Sequence, residues 1–292
     1  MRTGDKETGR LGDKEMGRRS PVLPFSRSPR LPFSKSPVLL VFILLGVVAP
    51  LVPLVIWSFA HRWFFPDLLP GEWSWRAWAY LASPASQVGK AMVNSLTVAL
   101  AVTALSALIG LPAGRALGLY QFRGKTAVLF LILAPAIMPM IAVVMGIHIA
   151  FLRVGLADTW LGVVLAHLVP VMPYMVLVLT ATFSNYDLDY EGQARTLGAR
   201  PLQVFRHITL PAIWPGLMVG SLFAFLISWS QYLLTLIIGG GQMITLPVLL
   251  FAFANSGDNA ITAALSLLFI APALLLFLLT ARYLTGRNVA MV

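Results

Sequence analysis

The sequence predicts an all-α integral membrane protein with six transmembrane helices, and three observations carry the prediction. The 292 residues are 58% hydrophobic and only 11% charged, where soluble domains run at roughly a quarter charged. Uncharged runs long enough to cross about 30 Å of hydrocarbon recur at 38–60, 91–114, 127–152, 159–183, 212–238 and 259–281. The basic residues sort between alternate loops: 17 of the 21 lie before residue 38, in 115–126, in 184–211 or after Ala281. Only Arg62, Arg76, Lys90 and Arg153 fall on the other side. Lysine and arginine are retained on the cytoplasmic side of a membrane, so both termini and the 184–211 loop are expected there.

Residues 1–36 are unlike the rest. "TGDKETGR" (3–10) is echoed by "LGDKEMGR" (11–18), and "SPVLPFSR" (20–27) by "SPRLPFSK" (28–35). Repeats this short make no solenoid unit, and Pro, Ser, Gly and charge build no core. The reading is a disordered low-complexity cytoplasmic tail at 1–36, followed by a first transmembrane helix at 37–60. No small-residue cleavage site ends that apolar run, so it reads as an uncleaved span. Residues 61–89 hold four of the eight tryptophans. Amphipathic aromatics favour the membrane interface, which makes this an external Trp-rich segment.

The remaining spans occupy 90–285, with 286–292 left as a cytoplasmic C-terminus. From Ile208 to Gly257 there is no charge at all, but "GGGQM" at 239–243 interrupts the run. The 14 residues from Ile244 to Gly257 cover roughly 21 Å as helix, too little to cross. They are expected to form an external loop or a re-entrant segment packed on protein. Pro135 and Pro139 mark kinks in the third span, and Pro170 and Pro173 in the fourth, because each removes a backbone hydrogen bond.

Catalytic and metal chemistry finds no footing. "GKT" at 124–126 lacks the glycine a phosphate loop needs five residues before Gly124, where Leu119 stands, and it does not follow a strand. His61, His148, His167 and His207 are scattered, with no spacing that converges three ligands. There is no cysteine, which excludes disulfides and thiolate sites. The net charge of +10 is explained by the cytoplasmic loops rather than by nucleic acid. No catalytic residue, metal site or cofactor is therefore assigned. Neutral polar side chains inside the spans, Asn94, Ser95, Ser228 and Gln231, are candidates for a translocation path. Helix-to-helix hydrogen bonding is the competing role for the same residues. The spans carry no Asp, Glu, Lys or Arg in their interiors, which argues against proton coupling.

The loop "EGQARTLGARPLQVFRHITLP" at 191–211 carries the sharper information. A helix is expected from Asp187 to Leu197, its acidic start suited to the helix dipole, with Gly198 as the terminating glycine. Pro201 suits the first turn of a second short helix, running to about His207, before an elbow at Leu210-Pro211 enters the fifth span. As an isolated element this helix–turn–helix also fits an amphipathic segment lying on the membrane.

Gly198, nine residues, Ile208, one residue, then Leu210-Pro211 resembles the cytoplasmic signature of binding-protein-dependent ABC importer permeases: Glu-Ala-Ala, three residues, Gly, nine residues, Ile, one residue, Leu-Pro. The family's Glu-Ala-Ala falls on Gly192-Gln193-Ala194, so Glu191 stands one residue out of register, and the functional weight is placed on Gly198 and the residues after it. "NSL" at 94–96, "LPAGRALG" at 111–118 and "LPVLLF" at 246–251 resemble the same family over roughly 90–285, nearest the spermidine/putrescine branch. The resemblance implies the coupling-helix loop of a type I importer permease in a prokaryotic inner membrane. Its ATPase-coupling residues would be Ala194, Arg195, Gly198, Ala199, Arg200, Pro201, Phe205, Ile208, Leu210 and Pro211. It implies as partners cytoplasmic ABC ATPase subunits, a second permease (identical or different), an extracytoplasmic solute-binding protein and membrane lipid. The implied substrate is a small solute, a polyamine first, with iron, sulfate and thiamine as others. Asp258 is the acidic group expected near the external mouth. The alternative is a secondary transporter or channel with the same kinked, neutral spans.

Overall fold

The computed structural model describes residues 41–284, apart from 43–44, 47 and 64–66. The expected tail at 1–36, the start of the first span at 37–40 and the C-terminus at 286–292 lie outside the described residues. The chain divides into two units at Ala49 and Pro50. In the first, the Ala49 N–H closes a helical turn on the Leu45 carbonyl at 2.8 Å. The second unit holds every element named below.

That unit opens with α1 (Leu51–Ser58), a two-stranded ribbon and α2 (Arg76–Ala82). The ribbon is antiparallel, β1 (Ala60–Arg62) with β2 (Glu72–Trp73), pairing Ala60 with Trp73 and Arg62 with Glu72. The fold is thus helical but not purely so. Its longer helices are α3 (Val88–Leu119), α4 (Lys125–Ile137), α5 (Met140–Val154) and α6 (Trp160–Ser184). Two short helices follow, α7 (Asp189–Thr196) and α8 (Pro201–Val204), then a wide π-helical turn at Phe205–Thr209. The rest is α9 (Leu210–Trp229), α10 (Leu233–Ile238), α11 (Leu246–Ser256) and α12 (Asn259–Leu284).

Among the described residues four helical stretches are long and apolar enough to cross a membrane: α3, α6, Pro201–Trp229 and Asn259–Ala281. The third expected span is broken. α4 and α5 meet at 103°, which makes a fifth crossing only if the bent pair is one span. Pro139 explains the break. It has no N–H to give, and the residue before a proline is driven from helix to extended backbone; Met138 sits at φ −75°, ψ 146°. Pro135 stays inside α4, and Pro170 and Pro173 inside α6. The fifth expected span, 212–238, also divides, at Ser230–Tyr232 between α9 and α10. The Ile244–Gly257 segment forms α11, eleven residues long.

α6 is the centre of the bundle: 56% of its most apolar window is buried, against 22–33% in the other three stretches. Val164, Val171, Met175 and Leu179 are wholly enclosed. Two glycine-bearing faces grip it. An ideal Cβ at Gly114 of α3 would lie 2.5 Å from the Leu179 Cβ and 3.0 Å from its carbonyl carbon. One at Gly118 would lie 2.8 Å from the Thr180 carbonyl oxygen. On α9, Gly216 presses on Thr182, and Gly220 on the Met175 sulfur. Without a hydrophobic effect between helices in lipid, close backbone approach of this kind supplies the association. Gly114→Ala is expected to lose about 1–3 kcal/mol through overpacking, read as a lower unfolding temperature in detergent, because the obstructing atoms are a Cβ and a backbone carbon.

A polar node bridges the α9–α10 break. His167 of α6 is 1% exposed, with Nδ1 3.0 Å from the Ser228 hydroxyl and Nε2 3.0 Å from the Thr235 hydroxyl. Thr235 donates to the Gln231 carbonyl at 3.1 Å. One consistent proton order satisfies all four groups: Ser228 O–H to Nδ1, Nε2–H to Thr235, Thr235 O–H to Gln231. A neutral imidazole fills both roles.

Candidate functional site

Two groups of residues stand out, at opposite ends of the bundle. The first begins where α6 ends. Asp187 accepts the Asp189 N–H at 2.9 Å, which starts α7. The helix stops in a Schellman turn: Gly198, at φ +85°, donates to the Arg195 carbonyl at 3.0 Å, and Ala199 donates to the Ala194 carbonyl at 3.0 Å. Arg200 is extended, and its N–H is held by the Gln203 side-chain oxygen at 2.8 Å. Pro201 then opens α8 at its first position. Every link of the turn is fixed by a named hydrogen bond.

The expected elbow at Leu210-Pro211 is absent. Thr209 and Leu210 have helical angles, and the chain continues from Pro201 to Trp229 as one helical stretch. The physical reason is the π-helical turn just before it. A proline inside a regular helix clashes with the carbonyl four residues earlier, here His207, and a widened turn gives that carbonyl room.

The turn presents apolar side chains at the end of the bundle. Leu197 is 89% exposed, Leu202 is 75% exposed and Phe205 is 40% exposed. A concave hollow of about 390 Å³ lies between α7 and the following helix, lined by Ala194, Gly198, Ala199 and Ile208 among others. Arg195 and Arg200 are exposed, as are Pro201 and Pro211, while Leu210 is half-buried at the root of α9. Leu197 and Leu202 went unrecognised in the sequence because a leucine in an apolar chain carries no signal until its surroundings are known.

Behind that rim lies an ion-pair cluster. Glu191 is 4% exposed. Its Oε1 accepts from Arg115 Nη1 at 2.8 Å and from the Thr209 hydroxyl at 2.8 Å. Its Oε2 accepts from Arg115 Nη2 at 2.9 Å and Arg195 Nη2 at 3.5 Å. The Arg115 guanidinium lies 5.9 Å from the Phe183 ring centre, and the Tyr186 hydroxyl is 3.5 Å from Thr209. Hydrogen bonds from Arg115 hold the Glu191 carboxyl down to about 2, against the upward push of burial and with help from Thr209. Glu191 was set aside in the sequence for being one residue out of register; in the fold it is where α3, α7 and the π-helical turn meet. A readable signal existed. Arg115 is the one charge between residues 91 and 119, and an ionisable group so placed needs a partner.

Three of the four path candidates, Asn94, Ser95 and Ser228, hydrogen-bond between elements. Asn94 donates to the Ile244 carbonyl at 2.9 Å, and Ser95 accepts the Leu246 N–H at 2.8 Å. Together they pin the start of α11 to α3. Ser95 and Ser228 are each 4% exposed, enclosed within this chain. Gln231 is half-buried at the α9–α10 break. At the same end, Asp258 is already engaged. Both its oxygens accept from Arg76, at 2.9 and 3.0 Å, and Oδ1 also accepts the Ile261 N–H at 3.1 Å. Burial raises its carboxyl, but Arg76 and the Ile261 amide outweigh that and leave it below its ordinary range. Among the described residues no three histidine, aspartate or glutamate side chains come together.

This geometry defines a multi-pass membrane protein with a rigid helix–turn–helix presented at one end. Residues 110–287 match the family described as binding-protein-dependent transport system inner membrane component, and the chain belongs to that family. It is 31% identical over 239 residues to the putrescine transport system permease protein PotI of Escherichia coli (strain K12), covering 78% of this chain and 84% of PotI. It is 34% identical over 218 residues to the molybdenum transport system permease protein ModB of Mycobacterium bovis, covering 70% and 81%. The fold is similar to that in the crystal structure of a bacterial ABC transporter involved in the import of the acidic polysaccharide alginate, with TM-score 0.65 at 18% identity over 84% of this chain and 94% of that one. The chain is therefore a permease subunit of an ABC importer in the inner membrane, which sets aside a secondary transporter or channel.

Proposed function

We propose that this chain forms part of the translocation path for a small solute and is driven by a separate ATPase that docks on the Gly198 turn. The observation that carries the reading is the pair of leucines at that turn, 89% and 75% exposed on a backbone held rigid by its own hydrogen bonds. Apolar side chains held outward on a fixed polar loop fit a protein partner better than water. Ala194, Arg195, Gly198, Ala199, Arg200, Pro201, Phe205 and Ile208 surround or line that rim, with Leu210 and Pro211 at its root. The rim lies on the cytosolic side, where the basic residues gather.

The docked ATPase would move the turn, and the helices joined to it would follow. A second permease subunit and an extracytoplasmic binding protein complete the assembly, and the latter would carry most of the selectivity. A polyamine is the first substrate to test, on the likeness to PotI, although ModB is named for molybdenum. With Asp258 occupied by Arg76, the exposed carboxylates on the outer side among the described residues are Asp67, Glu72 and Asp158, of which Glu72 lies 4.0 Å from His61. Gln231 and the partly buried Asn94 remain the path candidates nearest a surface. The test is native purification of the tagged chain with mass spectrometry of what accompanies it. An ABC ATPase in stoichiometric amount is expected; a chain that transports alone would overturn the reading.

A further inference from the structure

We propose that Arg115, Glu191 and Thr209 form a clamp that makes the docking loop and the α3–α6 pair move as one body, so that force arriving at the Gly198 turn enters the bundle through α3 as well as α9. The inference rests on the reading above only for the source of the force.

The chain itself joins the loop to α6 on one side and α9 on the other. α3 ends at Leu119, seventy residues before Asp189, and reaches the loop through space. The contact is built for orientation. A guanidinium is a planar fork, and a two-bond match to a carboxylate fixes angle as well as distance; both Arg115–Glu191 bonds are under 3 Å. Thr209 adds a third bond from the π-helical turn, so three elements converge on one side chain.

Arg115 also sits between Gly114 and Gly118, the two glycines that bring α3 against the α6 backbone. Displacing Glu191 therefore displaces Arg115, and α6 has no free space in which to stay behind. Glu191 acts through these partners and not through the ATPase, because it is 4% exposed while Leu197 on the rim is 89% exposed. Arg115, Glu191 and Thr209 are positioning residues. The low carboxyl value keeps the pair ionised at any cellular pH.

The chain has no cysteine, so two introduced ones are unique. Spin labels at Gln121→Cys, just past α3, and Gln193→Cys on α7 occupy exposed positions. Their separation is measured by electron paramagnetic resonance on the full-length chain with its co-purified ATPase, without nucleotide and after trapping with ATP and vanadate. The expected result is one narrow distance that shifts by less than about 2 Å between the two states, the signature of a rigid body. In Glu191→Gln the distribution is expected to widen about twofold or more and to become nucleotide-dependent, while the ATPase still co-purifies and hydrolyses ATP within about twofold of wild type.

A nucleotide-dependent distance with the clamp intact would overturn the proposal, as would an equally narrow distribution in Glu191→Gln. If Glu191→Gln is not recovered folded, Thr209→Val, which keeps the ion pair, decides: broadening supports the clamp and an unchanged width overturns it. If no ATPase accompanies the chain, the docking reading fails at purification. The clamp is then judged on the isolated chain by the width in wild type against Glu191→Gln.

Discussion

Replacing Leu197 and Leu202 together by aspartate is expected to release the ATPase while leaving the permease folded and inserted. Both side chains are exposed in the isolated chain, and surface changes of this kind cost within about 0.5 kcal/mol of fold stability. Their burial under a partner is worth about 1.5–3 kcal/mol each, and a carboxylate in their place must be desolvated as well. Recovery of the ATPase with the tagged chain should fall at least about a hundredfold, since each 1.4 kcal/mol is a factor of ten. Arg200→Ala and Arg206→Ala at the same rim should do far less, because exposed charges contribute about 0–1 kcal/mol. Undiminished recovery with the double aspartate would place the docking surface elsewhere.

Removing Arg115 alone is expected to be the most destabilising single change in the loop region. Arg115→Leu leaves Glu191 buried without its main partner, a defect worth about 3–5 kcal/mol. Arg115→Leu with Glu191→Leu removes both charges, leaves only the buried Thr209 hydroxyl without its acceptor, and should recover most of that loss. Near-additive losses in the two single variants and the double one, read from unfolding temperatures in detergent, would show that the pair is not coupled. The acid dependence has a definite sign. The folded carboxyl lies below its ordinary value, at about 2 against 4.5, so its contribution is complete above pH 4.5 and is lost as pH falls from there toward 2. Acid unfolding of Glu191→Gln should lack that component.

The helical turn around Gly198 was legible because it is local. A glycine at the end of an amphipathic helix, followed by Arg-Pro, specifies a left-handed stop and a restart through backbone sterics alone. The positive φ at Gly198 and the opening of α8 at Pro201 follow from that. The break at Pro139 was legible in part, since proline marks the place but not the angle. Whether a proline bends a helix depends on what replaces its missing hydrogen bond. α6 carries Pro170 and Pro173 without breaking, and α4 and α5 part at 103°.

Leu210-Pro211 misled for the same reason. The dipeptide reads as an elbow, but a widened turn five residues long absorbs the proline and the helix runs on. Such a turn has no sequence signature, because it is a choice of hydrogen-bond register. The serines at 95 and 228 are a different case. Hydroxyls within an apolar run are equally suited to a path and to a tie between helices, and in the fold these two bond to the Leu246 N–H and the His167 ring.

The amino-acid sequence by itself determined that this chain lives in a membrane, and that the loop before α9 carries a glycine-stopped helix and a proline-started one. It also carried the family likeness, through residues 198–211. Those properties rest on composition, periodicity and backbone chemistry, which act over a few residues. Only the tertiary structure decided that Glu191 is the hub of that loop, that Asp258 is occupied by Arg76, and that Leu197 and Leu202 are left bare. Each depends on a contact, or on the lack of one, between residues far apart in the chain: Arg115 stands 76 positions from Glu191, and Arg76 stands 182 from Asp258. A carboxylate one residue out of register in a motif can still be in register in space, because its partner is chosen by the packing of glycines on α3 against α6.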